Sequence, residues 1–356
     1  MPDSLISTRN LISLQRACQG ISGFITLVIL IKFSSGEAMG WYYSILSLAA
    51  LYVIFDHGLS GILVNKAAND IPSRETTHFS DLSPQEKNSF HRLCHASFKV
   101  YLKIAVAFLT IVTPFGLYFF TQASGPFAHW QTPWVVLVSV LALNLLLLPF
   151  GSIIEGAGAI RQVYIVKLIQ SVLGPGVCWI AIMNGHLLWA TVASPLVVIT
   201  SQFIWLMKYW KEAFALVIVR PSSEIIWSEI MAPFEARAGV TFMCGHILGP
   251  VITLFLFQTH GATAAGTMAI SLAIANTLAL VSFSAITSVT PQITKDVTHG
   301  DWKNLDRTYQ KELLYATGMY FFGTAVCSIV LLTDEFAFIA NRVLSTEFMY
   351  LLFASI

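Results

Sequence analysis

Nine stretches of about 20 mostly apolar residues follow one another along the chain, and they restrict its fold more than any other feature. A helix of that length rises about 30 Å, which is the thickness of the hydrocarbon core of a bilayer. Of the 356 residues, 56% are hydrophobic and 11% are charged, whereas about a quarter of a soluble domain is charged. The sequence therefore predicts an all-α, polytopic membrane protein. The predicted spans are residues 11–33, 41–64, 99–120, 133–154, 163–184, 187–207, 238–258, 264–289 and 313–333.

The basic residues lie almost entirely in one of the two alternating sets of loops. Of the 20 lysines and arginines, only Lys32 and Arg342 lie outside that set. Because Lys and Arg are enriched in cytoplasmic loops, we predict that the amino terminus is cytoplasmic. The loops of the other set are short and predict no extracytoplasmic domain. In one cytoplasmic loop, Ser83, Pro84 and Glu86 form a capping-box sequence, which predicts a short helix at the membrane surface.

Two parts of the sequence resemble each other weakly and predict an internal repeat. The first and seventh predicted helices open with Arg-Ala, at Arg16 and Arg237, and the second and eighth begin at Gly40 and Gly266. The two pairs have nearly the same separation, which favours a fold of two lobes. Residues 348–356 are still apolar where the sequence stops, so the second lobe is expected to be truncated. The predicted domains are a six-helix lobe at 1–210, a cytoplasmic linker at 211–235 and an incomplete second lobe of three to four helices at 236–356.

Two oppositely charged residues are predicted to lie inside the membrane at similar depths. Arg16 lies about five residues inside the first predicted helix, and Asp56 lies about eight residues before the cytoplasmic end of the second. Ionisable residues in a membrane are costly and usually face a partner or an aqueous cavity, so we favour an Arg16–Asp56 pair. The alternative is that Arg16 extends to the headgroups and Asp56 caps a turn at Gly58. His57 could titrate near neutral pH and sense protons, or it could occupy a polar niche.

Further charged residues mark the cytoplasmic ends of other predicted helices. Glu235 and Arg237 lie at the mouth of the seventh helix, and Glu155 lies at the end of the fourth, which Pro149 interrupts. Arg16 and Arg237, at equivalent positions of the repeat, would face each other across a central cavity. A planar guanidinium binds phosphate through two hydrogen bonds, so this pair suits an anionic headgroup. Ordinary anchoring by cytoplasmic basic residues is the alternative.

Motifs for enzyme chemistry are absent from the sequence. It contains no DxD pair, GxSxG, HExxH or Walker loop, and its five cysteines form no CxxC pair. His91, Cys94 and His95 could bind a metal, but such a cluster on one soluble stretch more often faces solvent. We therefore predict a protein that is not an enzyme and has no cofactor, with an H⁺ or Na⁺ gradient as the simplest energy source. The sequence contains no dense block of Lys and Arg, so a nucleic-acid partner is not expected.

Four segments together resemble the bacterial polysaccharide (O-antigen) flippases. The first resembles their second helix, which tends to end in Asp-Leu-Gly-Leu before a basic loop. The others are similar to the connection between their fourth and fifth helices, the start of their seventh helix and the cytoplasmic loop after their eighth. The four segments are residues 40–68, 148–171, 227–247 and 286–313.

The resemblance implies membership of the multidrug/oligosaccharidyl-lipid/polysaccharide exporter superfamily and a two-lobe transporter fold. Such a protein would move undecaprenyl-pyrophosphate-linked oligosaccharide across the bacterial inner membrane by alternating access, for O-antigen and lipopolysaccharide synthesis. Arg16 and Arg237 would match its cationic cavity positions, and Asp56 with Gly58 its second-helix motif, although His57 replaces the usual leucine. The implied partners are the lipid-linked oligosaccharide, membrane lipids, a polysaccharide polymerase and glycosyltransferases.

Three alternatives to a flippase remain open at the level of the sequence. A multidrug exporter of the same fold would favour an aromatic cavity lined by acids over one with paired arginines. A membrane glycan polymerase or ligase would need a large outer loop, which the predicted spans do not leave room for. A fragment without transport activity is consistent with the expected truncation of the second lobe.

Overall fold

The computed structural model describes residues 8–71, 78–122, 129–216, 219, 221, 235–299, 301–333 and 342–355. Over these ranges all regular structure is helical, as the sequence predicts. The α-helices are α1 (Thr8–Phe33), α2 (Gly36–Ala49), α3 (Leu51–Asp56), α4 (Leu59–Asp70), α5 (Pro84–Thr121), α6 (Gln131–Gly156), α7 (Ile160–Met183), α8 (Leu187–Tyr209), α9 (Lys211–Leu216), α10 (Glu235–His260), α11 (Ala262–His299), α12 (Trp302–Leu332) and α13 (Thr346–Ser355). A short 3₁₀ helix covers Phe79–Asp81.

Seven helical segments in the described part of the chain are long and apolar enough to cross a membrane. Each coincides with a predicted span, and the chain is a multi-pass membrane protein. The predicted spans 238–258 and 313–333 fall on α10 and α12, which are helical but are not among these seven. The seven segments are Asn10–Phe33, Gly36–Asp70, Pro84–Thr121, Gln131–Gly156, Ile160–Met183, Leu187–Tyr209 and Ala262–Phe283.

The second span consists of three helices, whereas the sequence predicts one. Helix α2 passes into α3 at Ala50, and α3 ends at Asp56. His57 and Gly58 then adopt left-handed backbone conformations, with φ angles of 51° and 74°, before α4 begins at Leu59. A residue with a Cβ is unfavourable in this conformation, and the right-handed helix cannot continue through it. The predicted span is therefore not one uninterrupted helix, and it turns at Gly58, as the alternative reading of this segment expects.

Helix α5 begins with the capping box that the sequence predicts. The Ser83 hydroxyl accepts a hydrogen bond from the Glu86 backbone N–H at 3.4 Å, and the Glu86 carboxylate accepts one from the Ser83 N–H at 2.7 Å. The prediction of a separate surface helix is wrong, however, because Pro84–Thr121 form one continuous helix of 38 residues. The capped first turns therefore extend the third span and do not precede it.

The helices of the second span have different main neighbours. Helix α2 packs mainly against α11 and α10, with further contacts to α5, α6 and α8, while α4 packs against α6 and α5. Helix α1 lies against α7 and α11, and α7 and α6 both pack against α8. Helices α10 and α12 both pack against α11. We call the contact of α2 with α10 and α11 the seam.

Two glycines allow the backbones to approach closely at the seam. A methyl group added at Gly40 of α2 would overlap the carbonyl group of Ala262, the first residue of α11. A methyl group added at Gly266 of α11 would lie 2.9 Å from the carbonyl oxygen of Gly36. Only residues without a Cβ permit backbones to lie this close. The seam is therefore tight where α2 and α11 begin.

Aromatic side chains fill the space beside these glycines. Trp41 is fully buried, with its ring centroid 5.5 Å from that of Phe120 and 5.3 Å from that of Phe257 on α10. The Gln258 side-chain amide donates a hydrogen bond of 2.9 Å to the Phe119 carbonyl. Aromatic pairs at such distances add to the stability that burial provides. The seam is therefore closed at the end of the bundle where α2 begins.

Candidate functional site

A cavity of about 650 Å³ lies among α1, α7, α8 and α11. Its walls come mostly from the first halves of α1 and α7, while α11 contributes two apolar residues from its middle. Such a volume is within the range of small-molecule sites in proteins. The residues that line it are Gln15, Arg16, Gln19, Ser22, Tyr164, Lys167, Gln170, Ser171, Pro175, Ser194, Val198, Leu280 and Phe283.

The lining combines apolar side chains with several polar ones and two cations. Gln15, Gln19 and Ser22 are spaced four and three residues apart and so share one face of α1, which also presents Arg16 to the cavity. Lys167 of α7 supplies a second positive charge, and no Asp or Glu is among the lining residues that the structure describes. The site can therefore bind an anion through two cations and amide groups.

Lys167 also contacts an acid behind the cavity wall. Its Nζ donates a hydrogen bond of 2.9 Å to the Glu155 carboxylate at the end of α6, and it lies 4.6 Å from the centre of the Tyr164 ring. A smaller cavity of about 100 Å³ among α6, α7 and α8 contains Glu155 in its wall and shares Lys167 and Gln170 with the larger cavity. Glu155, predicted from the sequence as a site residue, thus touches the site through Lys167.

Asp56 is held by hydroxyl groups. Its two carboxylate oxygens accept hydrogen bonds from Tyr101 of α5 at 2.6 Å and from Ser60 of α4 at 2.8 Å, and the residue is only 6% exposed. No ion pair joins Asp56 to Arg16, both of which the structure describes. The favoured pair is not formed because α1 packs against α7 and α11, while Asp56 lies between α4 and α5. Asp56 instead connects the two helices beside the break in the second span.

The other predicted site residues lie elsewhere. His57 is exposed, and its Nδ1 lies 3.3 Å from the carbonyl oxygen of Phe55. Glu235 and Arg237 belong to the first turn of α10, but their side chains lie outside the described part of the structure. The proposal that Arg237 faces Arg16 across the cavity therefore stays a prediction.

The described residues contain no group of three metal ligands. The imidazole Nε2 of His91 instead lies 2.8 Å from the Val219 carbonyl oxygen, and Cys94 is buried. The prediction that this cluster faces solvent is therefore only partly correct, because Cys94 is buried.

The residue that the sequence analysis missed is Lys167. It was counted among the basic residues that mark the cytoplasmic side, yet it lies seven residues into α7. The available signal was a polar face, because Tyr164, Lys167, Gln170 and Ser171 recur at helical spacing in an apolar segment. A polar face of α1 contains Gln15 in the same way, so these two polar faces form the two main walls of the cavity.

Replacing Tyr101 with phenylalanine is expected to destabilise the protein by about 1.5–3 kcal/mol, the usual contribution of a hydrogen bond to a charged group. The buried Asp56 carboxylate would lose one of its two donors. The measurement is the thermal unfolding midpoint in detergent. Tyr118→Phe is the matched control, because Tyr118 lies on the same helix and is 67% exposed. Equal midpoints for the two variants would contradict the assigned role of Tyr101.

These observations define the molecule as a helical multi-pass membrane protein with a cavity among its helices that Arg16 and Lys167 line. No family model and no curated protein sequence matches the chain. Its fold is that of solved MATE family transporters of the MOP superfamily.

An outward-facing multidrug resistance MATE transporter gives a TM-score of 0.53 at 14% identity, covering 95% of this chain and 76% of that one. An inward-facing structure of such a transporter gives 0.51 at 14%, covering 94% and 79%. A MATE protein in complex with MaD3S gives 0.51 at 15%, covering 92% and 74%. At these identities the likeness establishes the fold alone.

Proposed function

We propose that the protein is an exporter that moves a lipid-linked oligosaccharide, carried on undecaprenyl pyrophosphate, across the cytoplasmic membrane by alternating access. The observation that carries this proposal is the charge of the cavity. Arg16 and Lys167 line a space of about 650 Å³ together with glutamines, and the described part of the lining contains no carboxylate. A diphosphate is the group that two cations and several amide donors bind well, because each phosphate oxygen can accept a charge-assisted hydrogen bond.

Alternating access requires a cavity that is closed toward one side at a time. The seam beside Gly40 and Trp41 is closed where α2 begins. The cavity residues of α1 lie toward the other end of that helix. On the predicted orientation, the closed end faces away from the cytoplasm, and a headgroup would enter from the cytoplasmic side.

A multidrug exporter of the same fold is the second candidate. Two similar structures are of transporters described as multidrug resistance proteins, and the cavity also presents Tyr164, Phe283 and Leu280 to a ligand. The rings of Tyr164 and Phe283 suit an aromatic or cationic drug. The two cations of the lining favour an anionic substrate instead.

The test compares cells that lack this gene, and any redundant flippase, with cells complemented by it. The fraction of lipid-linked oligosaccharide that an impermeant reagent can modify from outside is measured. We expect modification to fall without the gene and to return with it. Unchanged modification, combined with a loss of drug resistance, would replace this proposal with the multidrug exporter.

A further inference from the structure

Lys167 lies between an acidic side chain and the large cavity. On one side is the Glu155 carboxylate, 2.9 Å away, and on the other is the large cavity, whose wall includes Lys167 and Tyr164. The Lys167 side chain is 40% exposed and that of Glu155 is 20% exposed. The lysine is therefore accessible from the cavity while the acid is largely shielded from it.

The chain geometry fixes Glu155 more firmly than Lys167. Glu155 is one residue from the end of α6, where a tight connection through Gly158, with a φ of 101°, leads into α7. Its carboxylate is held by a short side chain at this constrained corner. Lys167 has four flexible methylene groups, so its ammonium can turn toward the cavity without any movement of the backbone.

Arg16 and Lys167 lie at comparable heights in the bundle. Helices α1 and α7 run in the same direction, because three spans lie between them, and Arg16 is eight residues into α1 while Lys167 is seven residues into α7. Both line the same cavity. An anion bound by Arg16 would thus lie at the level that the Lys167 ammonium can reach.

We propose that Glu155 is an internal competitor of the anionic ligand, holding the Lys167 ammonium until a phosphate group of the ligand displaces it. This inference rests on the proposed function, since it concerns the regulation of the same cavity. The ion pair keeps the empty cavity less positive than its residues would make it. It also lowers the affinity for the anion, because binding must first break the contact between Lys167 and Glu155. The ligand can therefore leave again once the cavity has opened to the other side.

The experiment measures the Kd of purified, detergent-solubilised protein for inorganic pyrophosphate by calorimetric titration. Glu155→Gln is expected to bind pyrophosphate roughly two- to fivefold more tightly than the wild type, the factor by which a partly exposed ion pair shifts an equilibrium. Lys167→Met is expected to bind it more weakly than the wild type. Asp70→Asn is the matched control, because Lys66 and Asp70 form an ion pair of the same 2.9 Å length with 37% and 29% exposure, away from the cavity.

A double variant separates competition from a general effect of removing a negative charge. If Glu155 acts by holding Lys167, then Glu155→Gln has no effect on affinity in a protein that already carries Lys167→Met. A gain of the same size in that background would overturn the inference, since the acid would then act only through its charge at a distance. Unchanged or weaker binding by the single Glu155→Gln variant would overturn it as well.

Failure of the inference is distinguishable from failure of the proposed function. If the wild-type protein and Glu155→Gln both bind no pyrophosphate, the anion-binding cavity itself is refuted. If the wild type binds pyrophosphate and loses that binding in Arg16→Gln, but Glu155→Gln changes nothing, only the competition is refuted. Elution of each variant as a single symmetrical peak in detergent excludes misfolding as the cause.

Discussion

Replacement of Arg16 with glutamine is expected to weaken pyrophosphate binding roughly 10- to 100-fold, which is the loss of about 1.5–3 kcal/mol that accompanies removal of a charge-assisted hydrogen bond. Arg16 lines the cavity beside Gln15 and Gln19, and its guanidinium can form two parallel bonds to a phosphate. Arg16→Lys retains the charge but not the planar fork, so we expect an intermediate affinity. The measurement is calorimetric titration, supported by the transport assay in cells.

Lys32→Gln is the control for this prediction. Lys32 lies in the last turn of the same helix, is exposed and does not line the cavity. It should therefore leave both binding and export at the level of the wild type. Equal affinity of Arg16→Gln and wild type would remove Arg16 from the site and leave Lys167 as the one cation of the described lining.

Replacement of Gly40 with alanine is expected to open the closed end of the seam. The added methyl group would overlap the carbonyl group of Ala262, and neither backbone can move aside without separating α2 from α11. Overpacking of this kind costs about 1–3 kcal/mol, which changes the ratio of closed to open molecules by roughly 5- to 150-fold. Spin labels at Asn184 and His260, which end α7 and α10 at that side, should report a longer distance.

Gly61→Ala is the matched control for the seam. Gly61 lies in α4, within the same span, and a methyl group there would meet no atom within 4 Å. Alanine in a helix interior is slightly more favourable than glycine, so this variant should keep the wild-type distance with equal or greater stability. An unchanged label distance in Gly40→Ala would contradict the assignment of this contact as the one that holds the end closed.

The architecture was largely predictable because apolar length is a strong signal. The seven spans of the described structure coincide with predicted spans, and the capping box at Ser83 begins a helix as expected. The turn at Gly58 was one of two readings of the sequence, whereas the left-handed backbone of His57 was not predicted, since a left-handed residue with a Cβ has no sequence signature of its own. Gly40 and Gly266, which the sequence analysis aligns with each other, meet at the seam, while the two-lobe repeat stays a prediction.

The site was only partly predictable, for a geometric reason. Depth in the membrane can be estimated from position in a span, but the direction in which a helix face points depends on its neighbours. Arg16 and Asp56 have similar depths, yet the first faces the cavity and the second faces Tyr101. Lys167 was not predicted as a site residue, because the positive-inside rule already explains a lysine near the cytoplasmic end of a span. Its position on a polar face of α7 is what assigns it to the cavity.

The left-handed pair His57 and Gly58 has a mechanical consequence for the second span. Before this pair, α2 packs mainly on α11, and after it, α4 packs mainly on α6, while α5 contacts both halves. Four soft torsion angles lie between the two halves, the φ and ψ of two adjacent residues. They let each half take the direction that its own main neighbour requires, so that neither half has to unwind.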